Sequence, residues 1–600
     1  MRLSQLSIRN YRSIASLKDV RISRLQALVG PNNAGKSNIL KALDVLLTAG
    51  AGGTSPEHFL NPDEPIAITA VFDEVTPSER RAFRQYLLGG QLILEKQLSN
   101  ESDPKTGKVR VTAEYHGYMA RPKDRWLSSD VVIEDYGSRP KWQEVAGEHG
   151  LTDYWPEGGG GTKKAYEEAC SAYIDAHPDV EYEEPQLGET QALGLQPVLL
   201  ARLPRFYLLP AITDYSSEVD RRTTTTVFRQ LMGDLGDRVL RADSRYSEVE
   251  EHLEAIRVLL NPADDDGTPR LTALSDTEQK LLERISGLMP AVTSVEISVE
   301  VEGSRELFTR GVGLRIDDGV LTNVTDKGHG LQRSVVFGLL QVLIEHQKDA
   351  VSVEGNGPPS IILAIEEPEL YIHPQVQRLI YRVLGRFAAS DQVIYTTHAP
   401  SFVDVYEYEN IGLVQKPDVV SGTELHQCLE DPIPDKNERD RFKFFNTFDL
   451  AKNEMFFADH IVLVEGPEDR IALVAAGRKL GLFEDIPEEA GVTIVVADGK
   501  GELPKLACIL KAFGLSFRAV LEMDGRDDQD KQNRALLDSC GASGCALPKG
   551  LETCCGMDHH FTNVPATKEF FQRDDAVTED LLAVARFIFE PVMGATQPDH

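Results

Sequence analysis

At 600 residues, 41% hydrophobic and 26% charged, the chain has an ordinary globular composition with room for about three or four domains. Its formal net charge of -32 excludes a protein that coats nucleic acid through bulk electrostatics, though not one with a local basic groove. Met1 to Ile8 alternates like a strand rather than carrying an apolar leader, and no apolar run is long enough to span a bilayer, so a cytoplasmic protein without a membrane partner is expected. Seven cysteines, an odd number, do not suggest a disulfide framework.

The first stretch with a chemical signature is Gly30-Pro31-Asn32-Asn33-Ala34-Gly35-Lys36-Ser37, a complete G-x-x-x-x-G-K-S loop. The apolar run 25–29 before it predicts a strand and 38–43 after it a helix, which is the setting this loop requires. The backbone around Asn32, Asn33 and Gly35 can then cradle polyphosphate, Lys36 reach the outer phosphates and Ser37 ligate magnesium, so ATP is the expected cofactor. Further strands are predicted at 66–72 and 108–113. From 116 to 200 the periodicity weakens. The run Gly158 to Lys163 reads as a turn in an inserted segment, because no strand precedes it and its Lys follows the Thr. A strand returns at 206–210, and 216–290 shows helical periodicity, clearest from Val249 to Leu260. Arg221, Arg222, Arg229, Arg238, Arg241 and Arg245 outnumber the nearby acids there. They form a candidate nucleic-acid groove, with a solvated helix face as the commoner meaning of such a run. Strands are expected again at 294–301 and 313–316.

Ile361 to Ile365 is apolar throughout and runs into Glu366 and Glu367, the form of a buried strand that carries acids to the phosphates. Glu366 is expected to hold magnesium and Glu367 to polarise the attacking water. Asp326-Lys327-Gly328-His329-Gly330-Leu331-Gln332 opens a helix with a Gly-rich turn, and Ile394 to Pro400 is a strand ending in His398. In this order the pieces resemble the ABC-type ATPases of the SMC and RecF kind. The resemblance gives Gly328, Gly330 and Gln332 the signature role of capping nucleotide bound to an opposite subunit, and His398 the switch role. It implies a homodimer or higher even oligomer closed by ATP.

A polar, Pro-containing stretch at 416–436 marks a boundary, after which the pattern starts again. Ile461 to Val464 runs into Glu465-Gly466, with Asp469 four positions on from Glu465. A second run, 493–497, leads into Asp498-Gly499-Lys500, and a third, 517–521, into Glu522-Met523-Asp524. Acids at the C-terminal ends of adjacent parallel strands converge on one edge. Hard oxygen donors with no matching thiol or imidazole point to Mg2+ or Mn2+, and a pair of such ions can clamp the oxygens of a phosphodiester under attack.

These residues resemble the Toprim domain, and an ABC ATPase followed by a Toprim domain resembles the overcoming-lysogenization-defect (OLD) family of nucleases over most of the chain. The resemblance implies that Glu465, Asp469, Glu522 and Asp524 are metal ligands, with Asp528 a further candidate, and that Gly499 and Lys500 belong to the loop after the second strand. The first acid of the family's D-x-D pair is here the longer Glu522. Lys549 and Lys568 are the candidates for the family's late basic residue, which stabilises the cleaved phosphate, and Glu552 for its late acid. Cys540, Cys545, Cys554 and Cys555, with His559 and His560, lack the spacing of a zinc ribbon and read as thiols.

The expected fold is α/β: an ABC/SMC-like ATPase with a helical dimerisation insert, followed by a Toprim α/β domain. The divisions are 1–200, the first ATPase lobe with an insert; 201–290, the helical insertion; 291–435, the second ATPase lobe; and 436–600, the Toprim unit. The expected function is a nucleotide-gated, metal-dependent DNA endonuclease. By the resemblance its biology is anti-phage defence, with a helicase-like or retron partner in some systems. The alternative is a non-catalytic ATP-dependent DNA clamp or sensor with a degenerate Toprim domain, which rests on Glu522. A topoisomerase or primase would need a strand-transfer Tyr module or a template-handling domain, and neither is recognisable.

Overall fold

The computed structural model describes residues 1–83, 86–102, 109–119, 122–137, 140–156, 158–177, 180–183, 186–188, 199–200, 202–211, 245–261, 271–286, 293–297, 299, 314–349, 360–418, 421–445, 449–557, 563–573 and 575–591.

Among the described residues two large sheets build the first unit, beside a two-stranded hairpin of Arg315–Asp317 and Leu321–Asn323. Arg2–Tyr11, Ile14–Arg21, Ile66–Asp73, Gln91–Ser102 and Val109–Met119 pair antiparallel. The second sheet runs Glu424–Gln427, Ile411–Gln415, Leu25–Val29, Gln392–Thr396, Ile361–Glu366, Arg205–Leu209, and is parallel except at Glu424–Gln427. Successive side chains on a strand point to opposite faces, so each strand feeds two cores. Leu28, Ile362, Ala364, Ile394 and Val414 join the antiparallel sheet and the helix Lys36–Leu47. Ala27, Val29, Leu363, Ile365, Tyr395 and Leu413 pack on the other face, with the helix Pro374–Ala388. Burial on both faces is why these strands read as unbroken apolar runs.

The second unit is a four-stranded parallel sheet in the order Val492–Val496, His460–Val464, Phe517–Glu522, Gly544–Leu547. Val462, Val464 and Val520 enter a core closed by Leu581, Ala585 and Phe589. Leu463, Val495 and Leu521 belong instead to the same core as Ala27 and Val29. One hydrophobic core therefore crosses the boundary expected at 435/436.

The weakly patterned segment 116–200 has a small core of its own, in which Trp142, Val145, Leu151 and Tyr166 cluster. Its glycine run leads into the helix Lys163–Ala176, whose N-cap Thr162 accepts a hydrogen bond from the Ala165 N–H. Helices Tyr246–Leu260 and Thr272–Ser286 represent the expected helical insert; Arg221, Arg222, Arg229, Arg238 and Arg241 lie outside the described residues. The strand expected at 294–301 is not formed at 293–297 or 299. Helix side chains take the backbone groups that a ladder would use. Asn261 accepts from the Val299 N–H at 2.7 Å and donates to its carbonyl at 2.8 Å, and Glu278 accepts from the Ile297 N–H. Among the described residues no helix is long and apolar enough to cross a membrane.

Candidate functional site

The turn from strand Leu25–Val29 into helix Lys36–Leu47 needs its glycines. Gly30 and Gly35 hold φ of 139° and 106°, and a Cβ on Gly30 would stand 2.0 Å from the Val414 carbonyl oxygen. Asn32 and Asn33 are exposed on the rim, Asn33 with φ 63°, and Ser37 is half-buried in the first helical turn. Lys36 is buried, and its Nζ donates to the Gly30 and Pro31 carbonyl oxygens at 2.8 and 2.9 Å. Burial pushes its pKa down to about 8, while Glu367 and Glu369 pull it back. Phosphate oxygens would offer this ammonium stronger, charge-assisted partners than the carbonyls it now holds.

The acidic strand forms the facing wall. Glu366 is buried. Its Oε2 accepts from the Ala211 N–H at 3.1 Å, and its Oε1 has no hydrogen-bond partner. A buried, unsatisfied carboxylate oxygen beside a phosphate loop fits a divalent cation. Glu367 leaves the strand at φ 46°, and its Oε1 stands 3.9 Å from His398 Nε2. The His398 N–H donates to Glu369 Oε1 at 2.7 Å. Burial and Lys36 lower the His398 pKa against the pull of Glu367, and burial raises that of Glu369. The structure thus gathers Lys36, Glu366, Glu367 and His398, and adds Glu369, to which the sequence gave no role.

The helix His329–Asp349 starts beside this wall. Arg333 donates to the Glu366 carbonyl at 2.7 Å, and a Cβ on Gly330 would meet the Tyr371 carbonyl oxygen at 2.7 Å. Gln332 is buried and donates to the Lys327 carbonyl at 2.6 Å. Gly328 is exposed, with nothing within 4 Å of where its Cβ would be. A brace that sequence reasoning missed holds the loop from behind. Thr423 is buried, donates to the Ala34 carbonyl at 2.9 Å and bonds Ser13 Oγ at 2.7 Å; Ser13 in turn accepts from Asn38 Nδ2 at 2.8 Å. A separation of 389 residues between Thr423 and Ala34 leaves no local signal for it.

The second group of acids lies where a parallel sheet puts them, at the C-terminal ends of its strands. Asp469 is buried in the first turn of the helix Pro467–Lys479, and its Oδ2 accepts from the Gly466 N–H at 2.8 Å. Glu522 is buried, and its Oε1 accepts from the Leu551 N–H at 2.6 Å. Glu552 is buried beside it: a Cβ on Gly550 would meet Glu552 Oε2 at 2.1 Å and Glu522 Oε2 at 3.3 Å. Burial raises the pKa of Glu465, Asp469 and Glu522, and mutual repulsion raises them further. Asp469 and Glu552 act on Glu522, Glu552 and Glu465 on Asp469, and Asp524 on Glu465. Lys500 opposes this. It is buried, its Nζ donates to Asp524 Oδ2 at 2.6 Å, and it lowers the pKa of Glu465.

Among the described residues no three such groups close into a ready ligand cage, because backbone N–H groups hold Asp469 and Glu522, and Lys500 holds Asp524. The donors nonetheless suit a hard divalent cation, being carboxylate oxygens whose shared burial is otherwise only partly compensated. Asp528 and Lys549 are exposed, as is Lys568 on the helix Val564–Phe570, and none of the three makes an ion pair with Glu465, Asp469 or Glu522. The basic group at the carboxylates is Lys500. Its signal was the Asp498-Gly499-Lys500 turn behind a buried strand, the same form that marked the acids. Burial raises the pKa of the Cys545, Cys554 and Cys555 thiols; His559 and His560 lie outside the described residues.

The AAA ATPase domain family matches residues 1–111 and 212–403, just over half of the chain. The TOPRIM domain of overcoming-lysogenization-defect-like proteins matches 456–524. Among curated proteins, the chain is 23% identical over 539 residues to the Old nuclease of Escherichia phage P2, spanning 87% of this chain and 77% of that one. It is 24% identical over 578 residues to the OLD nuclease of Thermus scotoductus, spanning 94% and 90%. Endonuclease GajA of Bacillus cereus is 26% identical over 171 residues, 25% of each chain. Among solved structures, the SMC head domain from Thermotoga maritima aligns over 71% of this chain and 99% of its own, at 14% identity and a TM-score of 0.27, too low to bear on the fold.

Proposed function

The chain belongs to the AAA ATPase domain family and carries, downstream, an OLD-like Toprim domain; from that premise we propose that it is a cytoplasmic, ATP-gated DNA endonuclease that uses Mg2+ or Mn2+ and acts in defence against phages. The observation that carries this reading is the buried group Asp469, Glu522 and Glu552 with the half-buried Glu465, beside Lys500 and Asp524, in the same chain as a complete phosphate-loop site. Buried carboxylates that repel one another cost stability unless a cation joins them, which marks a functional rather than a structural cluster.

In this reading Lys36 and the backbone at Asn32, Asn33 and Gly35 bind the polyphosphate, and Ser37 and Glu366 would hold its magnesium. Glu367 orients the attacking water, with His398 beside it. Gly328, Gly330 and Gln332 open a helix whose exposed start, at Gly328, caps the nucleotide of a second copy with Gln332 buried behind it, so that ATP closes an even-numbered oligomer through the insert at 201–290. Glu465, Asp469, Glu522 and Asp524, with Glu552, would hold the metal of the cutting site. Such an ion polarises a phosphodiester and activates its attacking water. Lys500 balances the charge of the carboxylates and takes the part expected of Lys549 or Lys568, stabilising the cleaved phosphate. The working division keeps the ATPase to residue 435 and the Toprim unit from 436.

Supercoiled plasmid incubated with Mg2+ or Mn2+, with and without ATP, tests the reading. Wild-type protein is expected to nick or linearise it, Glu465→Ala to lose cutting while still binding ATP, and Lys36→Ala to lose the response to ATP. Undiminished cutting by Glu465→Ala would remove the Toprim assignment.

A further inference from the structure

Between the two units lies the helix Leu450–Asn453, whose last two residues, Lys452 and Asn453, are each 1% exposed. Asn453 faces the ATPase. Its Oδ1 accepts from the Val405 N–H at 2.9 Å, and its Nδ2 donates to the Pro400 carbonyl at 3.0 Å and to the Val403 carbonyl. Pro400 is two residues beyond His398, so this amide grips the segment that leaves the ATP site. Lys452 faces the Toprim unit. Its Nζ donates to Asp498 Oδ2 at 2.7 Å and lies 3.2 Å from Asp449 Oδ2. Asp498 sits at φ 61°, and the two residues after it reach the carboxylates: the Gly499 N–H donates to the Glu465 carbonyl at 3.1 Å, and Lys500 Nζ to Asp524 Oδ2 at 2.6 Å.

Lys452 and Asn453 are buried at the shared core to which Met455, Phe456, Ala497 and Leu503 belong, while Asp498 reaches the surface. Apolar side chains of similar volume would hold such a junction at least as firmly, because burying a lysine costs desolvation that its ion pair only partly offsets. What directional hydrogen bonds add is a fixed geometry. One four-residue helix thus ties 400–405 to the loop 498–500 by hydrogen bonds at its last two residues.

We propose that Asn453 and Lys452 are positioning residues that set the Asp498-Gly499-Lys500 loop, and through it the Toprim carboxylates, according to the state of the ATP site. The proposal rests on the gated-nuclease reading for its purpose, and its test separates the two. Full-length wild type is compared with Asn453→Ala, Lys452→Met, Lys452→Arg, Asp498→Asn and the double variant Lys452→Met/Asp498→Asn, with and without a non-hydrolysable ATP analogue and Mg2+. Amide exchange of 497–502, ATP hydrolysis, plasmid cutting and melting temperature are read in parallel. The analogue is expected to change exchange at 497–502 by about threefold or more in wild type, a coupling within the usual range. Lys452→Met, Asp498→Asn and their double variant should lose that response to the same extent, the non-additivity of one shared contact. Lys452→Arg should keep it, and ATP hydrolysis should persist in all. Because the Asp498 side chain is 60% exposed, Asp498→Asn tests the link even where Lys452→Met does not fold. Exchange at 497–502 that ignores nucleotide in wild type overturns the proposal. So does a full response in Asp498→Asn, or losses that add across the pair and follow the melting temperature. Failure of the nuclease reading looks different: no variant or wild type cuts DNA, while the exchange response persists.

Discussion

Asp469 and Glu522 carry the cost of burying neighbouring carboxylates together. Burial and repulsion push them up to about 7 and about 8, above ordinary carboxylate values of about 4. A carboxylate whose folded pKa is raised gives its full stabilisation below the unfolded value, and that stabilisation is lost as pH rises through the folded one. Metal-free protein should therefore melt at progressively lower temperature as pH rises from about 5 to about 8.5, and saturating Mg2+ should flatten the slope by rewarding the ionised forms. Scanning fluorimetry with EDTA and with Mg2+ reads both. The double variant Asp469→Asn/Glu522→Gln should be flat without metal; if it keeps the wild-type slope, the titration belongs to other groups. At this scale Glu465 and Glu522 were legible because each ends a buried apolar run, and Asp469 and Asp524 through their spacing from those two. Lys500 was visible only as a loop residue, since its bond to Asp524 joins two strands that the sequence does not show to be close neighbours.

Elements that carry their own apolar period were equally open to reading. The strands Leu25–Val29, Ile361–Glu366, His460–Val464 and Phe517–Glu522 appeared within a residue or two of where their hydrophobic runs stand. The strand Gly544–Leu547 was not foreseen, because four residues beginning with glycine and cysteine show no alternation, and pairing with Phe517–Glu522 makes the strand. The described part of the segment expected as a strand at 294–301 differs the other way: its alternation was real, but Glu278 and Asn261 take the backbone N–H groups of Ile297 and Val299. Thr423 belongs to this class of long-range contacts. Thr423→Val keeps the shape and removes the bonds to Ala34 and Ser13. A lost hydrogen bond of this kind is worth about 1 kcal/mol, so ATP affinity should fall about fivefold as the loop loosens, with the fold intact. Titration with a fluorescent ATP analogue measures it; unchanged affinity would make the brace structural only.

Over the whole molecule, the shared core decides how far the two units are separable. Ala27 and Val29 of the ATPase and Leu463, Val495 and Leu521 of the Toprim unit belong to one buried cluster, and cutting the chain at 435/436 would open it to water. Residues 1–435 and 436–600 made separately should bind a hydrophobic dye, melt without cooperativity or aggregate, and recover when co-expressed. Two soluble halves with sharp independent transitions would show the contact to be dispensable. The sheet order also has a consequence for synthesis. Strand Leu25–Val29 is hydrogen-bonded on its two sides by Gln392–Thr396 and Ile411–Gln415, so the phosphate loop stays unsupported until residue 415 has left the ribosome, roughly 20 to 80 seconds after initiation at ordinary elongation rates. The carboxylate unit emerges later still, and part of its packing surface belongs to the ATPase. Ribosomal order alone thus puts the ATPase half ahead of the Toprim half, and a message broken before the codon for Glu465 would leave the ATPase with its side of the shared core open to water.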